Sequence, residues 1–285
     1  RPHSHRVGED GGLDAFEAGV GVVDPADDPV ARAQLDAALD GQERHRRGVE
    51  RRILRRREKV APDAGRTLLG LDYPGVDGQI PQTPLTLDRL ADDLVAATVA
   101  EGHDRFPLLG VSLGSAVAVT AALRHPERIT ALVLTVGFAR PDAQSTAFAR
   151  LYQDLALADR EQDLARLLVL CSGSPGALAG IDDVDAAVAA TVADGAGRHR
   201  ALATHMDLVL RVDLSAADLA QVRQPSLVVG AGADRIVLPS STRALAQAVP
   251  GARHVELPDA GHIFAGDEVA VWAGHVARFL DEHDR

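Results

Sequence analysis

A single cysteine, Cys171, stands among 285 residues, which excludes an internal disulfide framework and any cysteine-built zinc cluster. Aromatic residues make up only 3%, so a core has to be assembled from Ala, Val and Leu. No apolar run reaches the length of a membrane span, because Asp, Glu or Arg interrupts each one. Positive charge is also in short supply: 30 Lys and Arg face 41 Asp and Glu, a formal net charge of −11. That balance argues against a nucleic-acid binder or an anionic-membrane binder, both of which need a basic face. The opening residues, Arg1-Pro2-His3-Ser4-His5-Arg6, lead into no apolar segment. No secretory signal is therefore expected, and the expected location is the cytoplasm. The absence of a starting Met is consistent with a trimmed start. What is plentiful is aliphatic material: hydrophobic residues are 46% of the chain, enough for a large core without cross-links.

The chain divides near residue 65. From there on, short apolar runs alternate with helical patterns. Leu68-Leu69-Gly70-Leu71 reads as a buried strand, and Thr86 as the cap of a helix with Leu87, Leu90, Leu94 and Val95 at helical spacing. A second strand is expected from Phe106 to Val111, a helix from Ser112 to His125 and a third strand from Ile129 to Val136. Residues 138–222 carry helical patterns and no strand. The alternation resumes with a strand at Ser226–Val229, a helix at Ser241–Val249, a strand at His254–Leu257 and a last helix at Val269–Leu280. Near-continuous apolar strands separated by helices indicate an α/β fold, a mainly parallel sheet with helices on both faces. The helical stretch at about 138–222, inserted after the third recognisable strand, is expected to form a cap over the sheet edge within a core spanning 66–285.

Residues 1–65 are atypical. Only Val20-Gly21-Val22-Val23 resembles a strand, and Arg44 to Lys59 is a basic run (RHRRGVERRILRRREK) with Val49, Ile53 and Leu54 as its apolar residues. A buried strand is not expected in that run. It reads as a solvated basic helix, as a tail for a nucleic acid or an acidic partner, or as an out-of-frame stretch, since CGC arginine codons read one base later give alanine.

Gly110-Val111-Ser112-Leu113-Gly114 falls between an apolar strand and an apolar helix. A turn that tight strains the backbone of its central residue and needs small flanking residues, which the two glycines supply. It lifts the Ser112 hydroxyl above the sheet and places it at a helix N-terminus, where the Leu113 N–H can face a developing oxyanion. A serine hydroxyl needs a base within reach. Among the 11 histidines, His262 lies in Pro258-Asp259-Ala260-Gly261-His262, straight after a strand and so at the carboxyl edge that carries Ser112. His125, His205 and His254 read instead as a helix end, a cap residue and a strand residue. Asp234, in the loop after Ser226–Val229, is the acid expected to orient the imidazole; Asp142 is the alternative.

From Leu68 onward the sequence resembles the α/β-hydrolase superfamily, and within it the small esterase/lactonase branch that includes enol-lactonases. The resemblance rests on LDYPG at 71–75, GVSLGS at 110–115, ALRHPERITALVL at 122–134, GADRIV at 232–237 and LPDAGH at 257–262. It implies a nucleophile, acid and base at Ser112, Asp234 and His262, a cap that shapes an acyl pocket, and no metal or organic cofactor. The function expected is a serine hydrolase cleaving an ester, thioester or lactone of a small-molecule acyl substrate. A lyase, eliminase or cyclase using His262 as base is the alternative on the same fold. The family also carries an oxyanion loop, usually beginning His-Gly, after an apolar strand upstream of LDYPG. Residues 1–65 show no such loop, which leaves room for an inactive member.

Overall fold

The computed structural model describes residues 20–24, 54–57 and 67–283, and the side chains from Leu69 to His283. Among the described residues seven strands form one sheet: β1 (Val20–Asp24), β2 (Leu54–Arg57), β3 (Thr67–Leu71), β4 (Phe106–Val111), β5 (Ile129–Thr135), β6 (Ser226–Ala231) and β7 (Arg253–Leu257), in the spatial order β2-β3-β1-β4-β5-β6-β7. From β4 to β7 every pair is parallel. β1 is antiparallel to both β3 and β4, and β2 is antiparallel to β3. Strands β3 to β7 therefore all run one way, and β1 and β2 run against them.

Strand β2 lies within the basic run, where the sequence reading offers a solvated helix and names only Val20–Val23 as strand-like. An outermost position asks for backbone pairing on one side only, and charged residues suit a sheet edge. The apolar stretch at 20–23 is a strand, as its composition suggests. The remainder of residues 1–65 lies outside the described residues.

Period-two alternation divides the strands between two layers. Leu108, Leu132, Leu134 and Val228 face one core with α1 (Leu87–Ala100), α2 (Leu113–Arg124) and α9 (Pro239–Ala248). Leu109, Val111, Val133, Leu227 and Val229 face the other, filled by Trp272, Val276 and Phe279 of α10 (Asp267–His283). The helix starts where expected: Thr86 accepts the Arg89 N–H at 3.2 Å. The Trp272 indole N–H donates to the Thr135 hydroxyl at 3.0 Å, fixing α10 to the end of β5.

Between β5 and β6 the described chain is helical: α3 (Ala143–Leu157), α4 (Glu161–Ser172), α5 (Pro175–Ala179), α6 (Val184–Asp194), α7 (His199–Arg211) and α8 (Ala216–Leu219). Helices α3, α4, α6 and α7 lie over the carboxyl ends of the parallel strands, where the loops carrying Ser112 and His262 emerge. α7 is held to the core by His205, whose Nε2 is 2.8 Å from the Pro74 carbonyl, with Tyr73 edge-on to its ring at 5.9 Å.

Burial lowers the His205 pKa below its ordinary 6.5, and the Pro74 hydrogen bond only partly opposes this. The unfolded chain therefore takes up a proton near pH 6.5 that the folded chain resists. The stability at stake is fully present above about pH 6.5 and is lost as pH falls through the folded value. Denaturant midpoints at about pH 7.5 and about pH 5 should differ more for the wild type than for His205→Gln. Equal pH slopes would show that His205 does not titrate between the two states.

Candidate active site

Sterics at one glycine fix the turn between β4 and α2. A Cβ on Gly110 would sit 2.3 Å from the Gly114 carbonyl oxygen, so the strand can run this close to the helix only without a side chain there. Ser112 takes φ 53° and ψ −120°, a region that costs a non-glycine residue about 1–3 kcal/mol. Its backbone is held by Ser112 N–H to the Thr135 carbonyl at 2.9 Å and Ser115 N–H to the Ser112 carbonyl at 2.9 Å. Ser115 is a poor rival nucleophile: it is fully buried, its hydroxyl donates to the Gly110 carbonyl at 3.0 Å, and it packs where a Gly137 Cβ would be. The Leu113 N–H, at the first position of α2, has no acceptor within the helix.

Asp234 and His262 sit on two loops joined through their backbones. The Gly232 N–H donates to the Leu257 carbonyl at 2.8 Å, and the Ala233 N–H to the Ala260 carbonyl at 3.0 Å. A Cβ on Gly232 would lie 2.2 Å from the Pro258 carbonyl oxygen. In this frame Asp234 Oδ2 is 2.8 Å from His262 Nδ1, while its Oδ1 accepts the N–H groups of Ile236 at 2.7 Å and Val237 at 2.9 Å. The two side chains are only 2% and 9% exposed, so water competes little for the bond. With Nδ1–H given to the carboxylate, Nε2 is left as the basic nitrogen.

The His262 loop also rests on the cap. A Cβ on Gly261 would meet the Gly173 carbonyl carbon at 2.3 Å, and the Ile263 N–H donates to the Ser172 carbonyl at 2.8 Å. Ser112 and His262 line one cavity of about 190 Å³, enclosed by α3, α4, α6 and α7, with no hydrogen bond between the two side chains. Its walls combine aliphatic residues such as Leu164, Leu202 and Val209 with Phe138, Phe148 and Tyr152, and carry Glu161, Asp194 and His199 as well.

The structure thus brings Ser112, Leu113, Asp234 and His262 to one edge and leaves Asp142 out. Asp142 caps α3: its Oδ1 accepts the Ser145 N–H at 2.8 Å. Its Oδ2 accepts from the Leu238 N–H at 2.9 Å and the Ser241 hydroxyl at 2.7 Å. Burial works to raise its pKa, but these hydrogen bonds outweigh it and hold the carboxyl below its usual range. The other histidines also lie where expected, His125 closing α2 against Asp92 and His254 in β7. Sequence reading did not find the cap residues that complete the cavity, such as Ser145, Glu161 and His199. Gly261 beside His262 was the one hint that the histidine loop needs a close backbone neighbour.

The direction of β1 bears on the oxyanion. A strand parallel to β4 in this position would bring the loop after it beside Ser112. β1 runs the other way: Val20 pairs with Gly110 and Val22 with Leu108. The end of β1 nearest the turn is therefore its N-terminal end, and the residues that precede it lie outside the described ones.

Residues 75–267 match the family described as serine aminopeptidase, S33, and the chain belongs to this family of α/β-hydrolases. Over 183 residues it is 32% identical to a pyrrolizixenacetamide deacetylase from Xenorhabdus hominickii, a match covering 63% of this chain and 66% of that protein. A hydrolase structure from Pseudomonas aeruginosa PA01 is similar with a TM-score of 0.63 at 28% identity, covering 75% of this chain and 79% of the other. The enol-lactonase of Burkholderia xenovorans LB400 shares the fold with a TM-score of 0.64 at 23% identity, over 74% and 79% of the two chains. The family and the Pseudomonas structure agree with the α/β-hydrolase resemblance drawn from the sequence.

Asp142→Asn and Asp234→Asn should separate cleanly. The first should lower thermal stability by about 1–2 kcal/mol through the lost cap and tie, with less effect on acyl turnover. The second should cut turnover by orders of magnitude, because the amide favours the wrong imidazole tautomer. Melting curves and ester kinetics on both variants check this; a larger kinetic loss for Asp142→Asn would move the acid to the other strand.

Proposed function

We propose that the chain is a serine hydrolase acting on a carboxylic ester, thioester or lactone through an acyl-enzyme on Ser112. The observation that carries the reading is the buried Asp234–His262 pair at 2.8 Å, set over the same cavity as a serine held at positive φ. In this reading the Ser112 hydroxyl attacks the substrate carbonyl as His262 Nε2 takes its proton. The negative charge on the carbonyl oxygen is met by the Leu113 N–H and the N-terminus of α2. Protonated His262 then gives its proton to the departing alcohol or thiol, and Asp234 stabilises the imidazolium without taking the proton itself. Water, deprotonated by His262 in turn, attacks the acyl carbon; the bond to the Ser112 oxygen breaks, that oxygen recovers the proton from His262, and the acid leaves. The aliphatic and aromatic part of the wall suits an acyl chain.

A second reading, a member of the family with little hydrolytic turnover, draws on the antiparallel course of β1, which does not bring a loop after it to Ser112. Losing one oxyanion donor costs about 2.7–4 kcal/mol, a factor of about 10²–10³ in rate.

Labelling with a fluorophosphonate, followed by peptide mass spectrometry, should place the adduct on Ser112 and leave His262→Ala largely unlabelled. An adduct on Ser115 or any other serine would overturn the assignment. Turnover of a p-nitrophenyl acyl ester should vanish in Ser112→Ala and His262→Ala. A labelled wild type that turns over no ester would favour the second reading.

A further inference from the structure

Position 205 holds a histidine where its neighbours along the cavity face of α7 are apolar. Leu202, His205, Met206 and Val209 line the cavity, spaced so that they share one side of the helix. His205 is only 6% exposed, and the surface it keeps borders that cavity. Its Nε2 lies 2.8 Å from the Pro74 carbonyl oxygen. A carbonyl oxygen can only accept, so Nε2 carries the proton. Turning the ring over would set a carbon against Pro74 and forfeit the bond, and the Tyr73 ring stands edge-on to it at 5.9 Å. The partner therefore dictates both the tautomer and the orientation of the ring.

With the Nε2 proton committed to Pro74, Nδ1 is left with a lone pair. Burial holds the His205 pKa below its ordinary 6.5, so at neutral pH the ring is uncharged and that lone pair can accept. Among the described residues nothing donates to Nδ1, yet it is not sealed from solvent as the Tyr73 hydroxyl is. It therefore opens on the cavity that His205 lines. The neighbours on this face cannot supply a proton. Leu202 and Val209 have no polar side-chain atom, and Met206 offers only a thioether acceptor. A fixed acceptor faces the substrate space with no protein donor to meet it.

We propose that His205 Nδ1 is a specificity-determining acceptor for a hydroxyl or amide N–H carried by the acyl part of the substrate. The inference rests on the hydrolase reading, in which the ligand is an acyl ester attacked at Ser112. His205 is anchored on the β3 side of the site through Pro74, and Ser112 follows β4, with β1 between the two strands. At about 4.8 Å per strand, the two strand ends lie about 10 Å apart along the sheet edge. The acceptor therefore reads a group on the chain, some way from the carbonyl. A plain alkyl chain leaves Nδ1 unmet, and a keto or carboxylate oxygen sets a second lone pair against it.

The test uses medium-chain acyl esters with a hydroxyl stepped along the chain, each matched with its methyl ether and with the plain chain. At the position that reaches Nδ1, wild-type kcat/KM should favour the hydroxyl over both by about three- to tenfold. His205→Leu should lose that ratio. His205→Gln, whose amide can give an N–H to Pro74 and turn its oxygen to the cavity, should keep part of it. Nitrogen-15 NMR on Ser112→Ala reads the acceptor without turnover and with His205 intact. Its Nδ1 should appear as an unprotonated nitrogen and move upfield on adding the hydroxyacyl methyl ester, but not its methyl ether. In a wild type that turns over esters, the absence of a hydroxyl preference at every position would overturn the proposal. So would a preference that survives His205→Leu, or an Nδ1 resonance unmoved by the hydroxyacyl ester. An Nδ1 that responds in Ser112→Ala, when the wild type hydrolyses no ester, would instead count against the hydrolase reading alone.

Discussion

The hydrogen bond between Asp234 and His262 is useful only because the two loops that carry it cannot drift apart. Asp234 and His262 lie 28 residues apart in sequence, on connections that follow different strands. What holds them is backbone contact: the Gly232 and Ala233 N–H groups reach into the histidine loop, and the space a Cβ would need at Gly232 is taken by the Pro258 carbonyl. Such contacts tolerate no side chain and little displacement, so the imidazole inherits its position from main-chain geometry. The turn at Ser112 works in the same way, through Gly110 against Gly114. Ser112, His262 and Asp234 are thus located by places where two backbones meet without a side chain between them.

The parallel half of the fold could be read from the sequence because its signals are local. β4 is the apolar run Phe106–Val111, and α2 is the Ala/Val/Leu stretch that follows it. The order of Ser112, Asp234 and His262 was visible too, since each follows a strand and such loops gather on one edge. The strand Leu54–Arg57 was not visible, because three arginines in four residues carry no apolar period and pairing with β3 alone makes it a strand. The antiparallel sense of β1 was equally hidden: an apolar run reads the same in either direction. The contact between Glu161 and His199 in the cavity wall depends on two helix starts meeting in space, which no local spacing encodes.

Energetically the site is an exception within a well-satisfied frame. Ser112 is held at positive φ, and so is Val136 (φ 45°) just past the end of β5. A β-branched residue there is an outlier. Both sit where β4 and β5 leave the sheet, beside Ser115 and Gly137. The cost is borne by the surrounding parallel strands, whose inward residues on both faces are almost wholly buried.

Asp142 ties the start of α3 to the residues just beyond the acid loop, and this gives the cap a fixed corner. The Gln144 amide on the Asp234 carbonyl and the Ile263 N–H on the Ser172 carbonyl are two further ties, so the cap is joined at once to the loop of Asp234 and to the loop of His262. A cap exchanged for another would have to keep Asp142, Gln144 and the backbone at Ser172 and Gly173, or carry Asp234 and His262 out of register with each other.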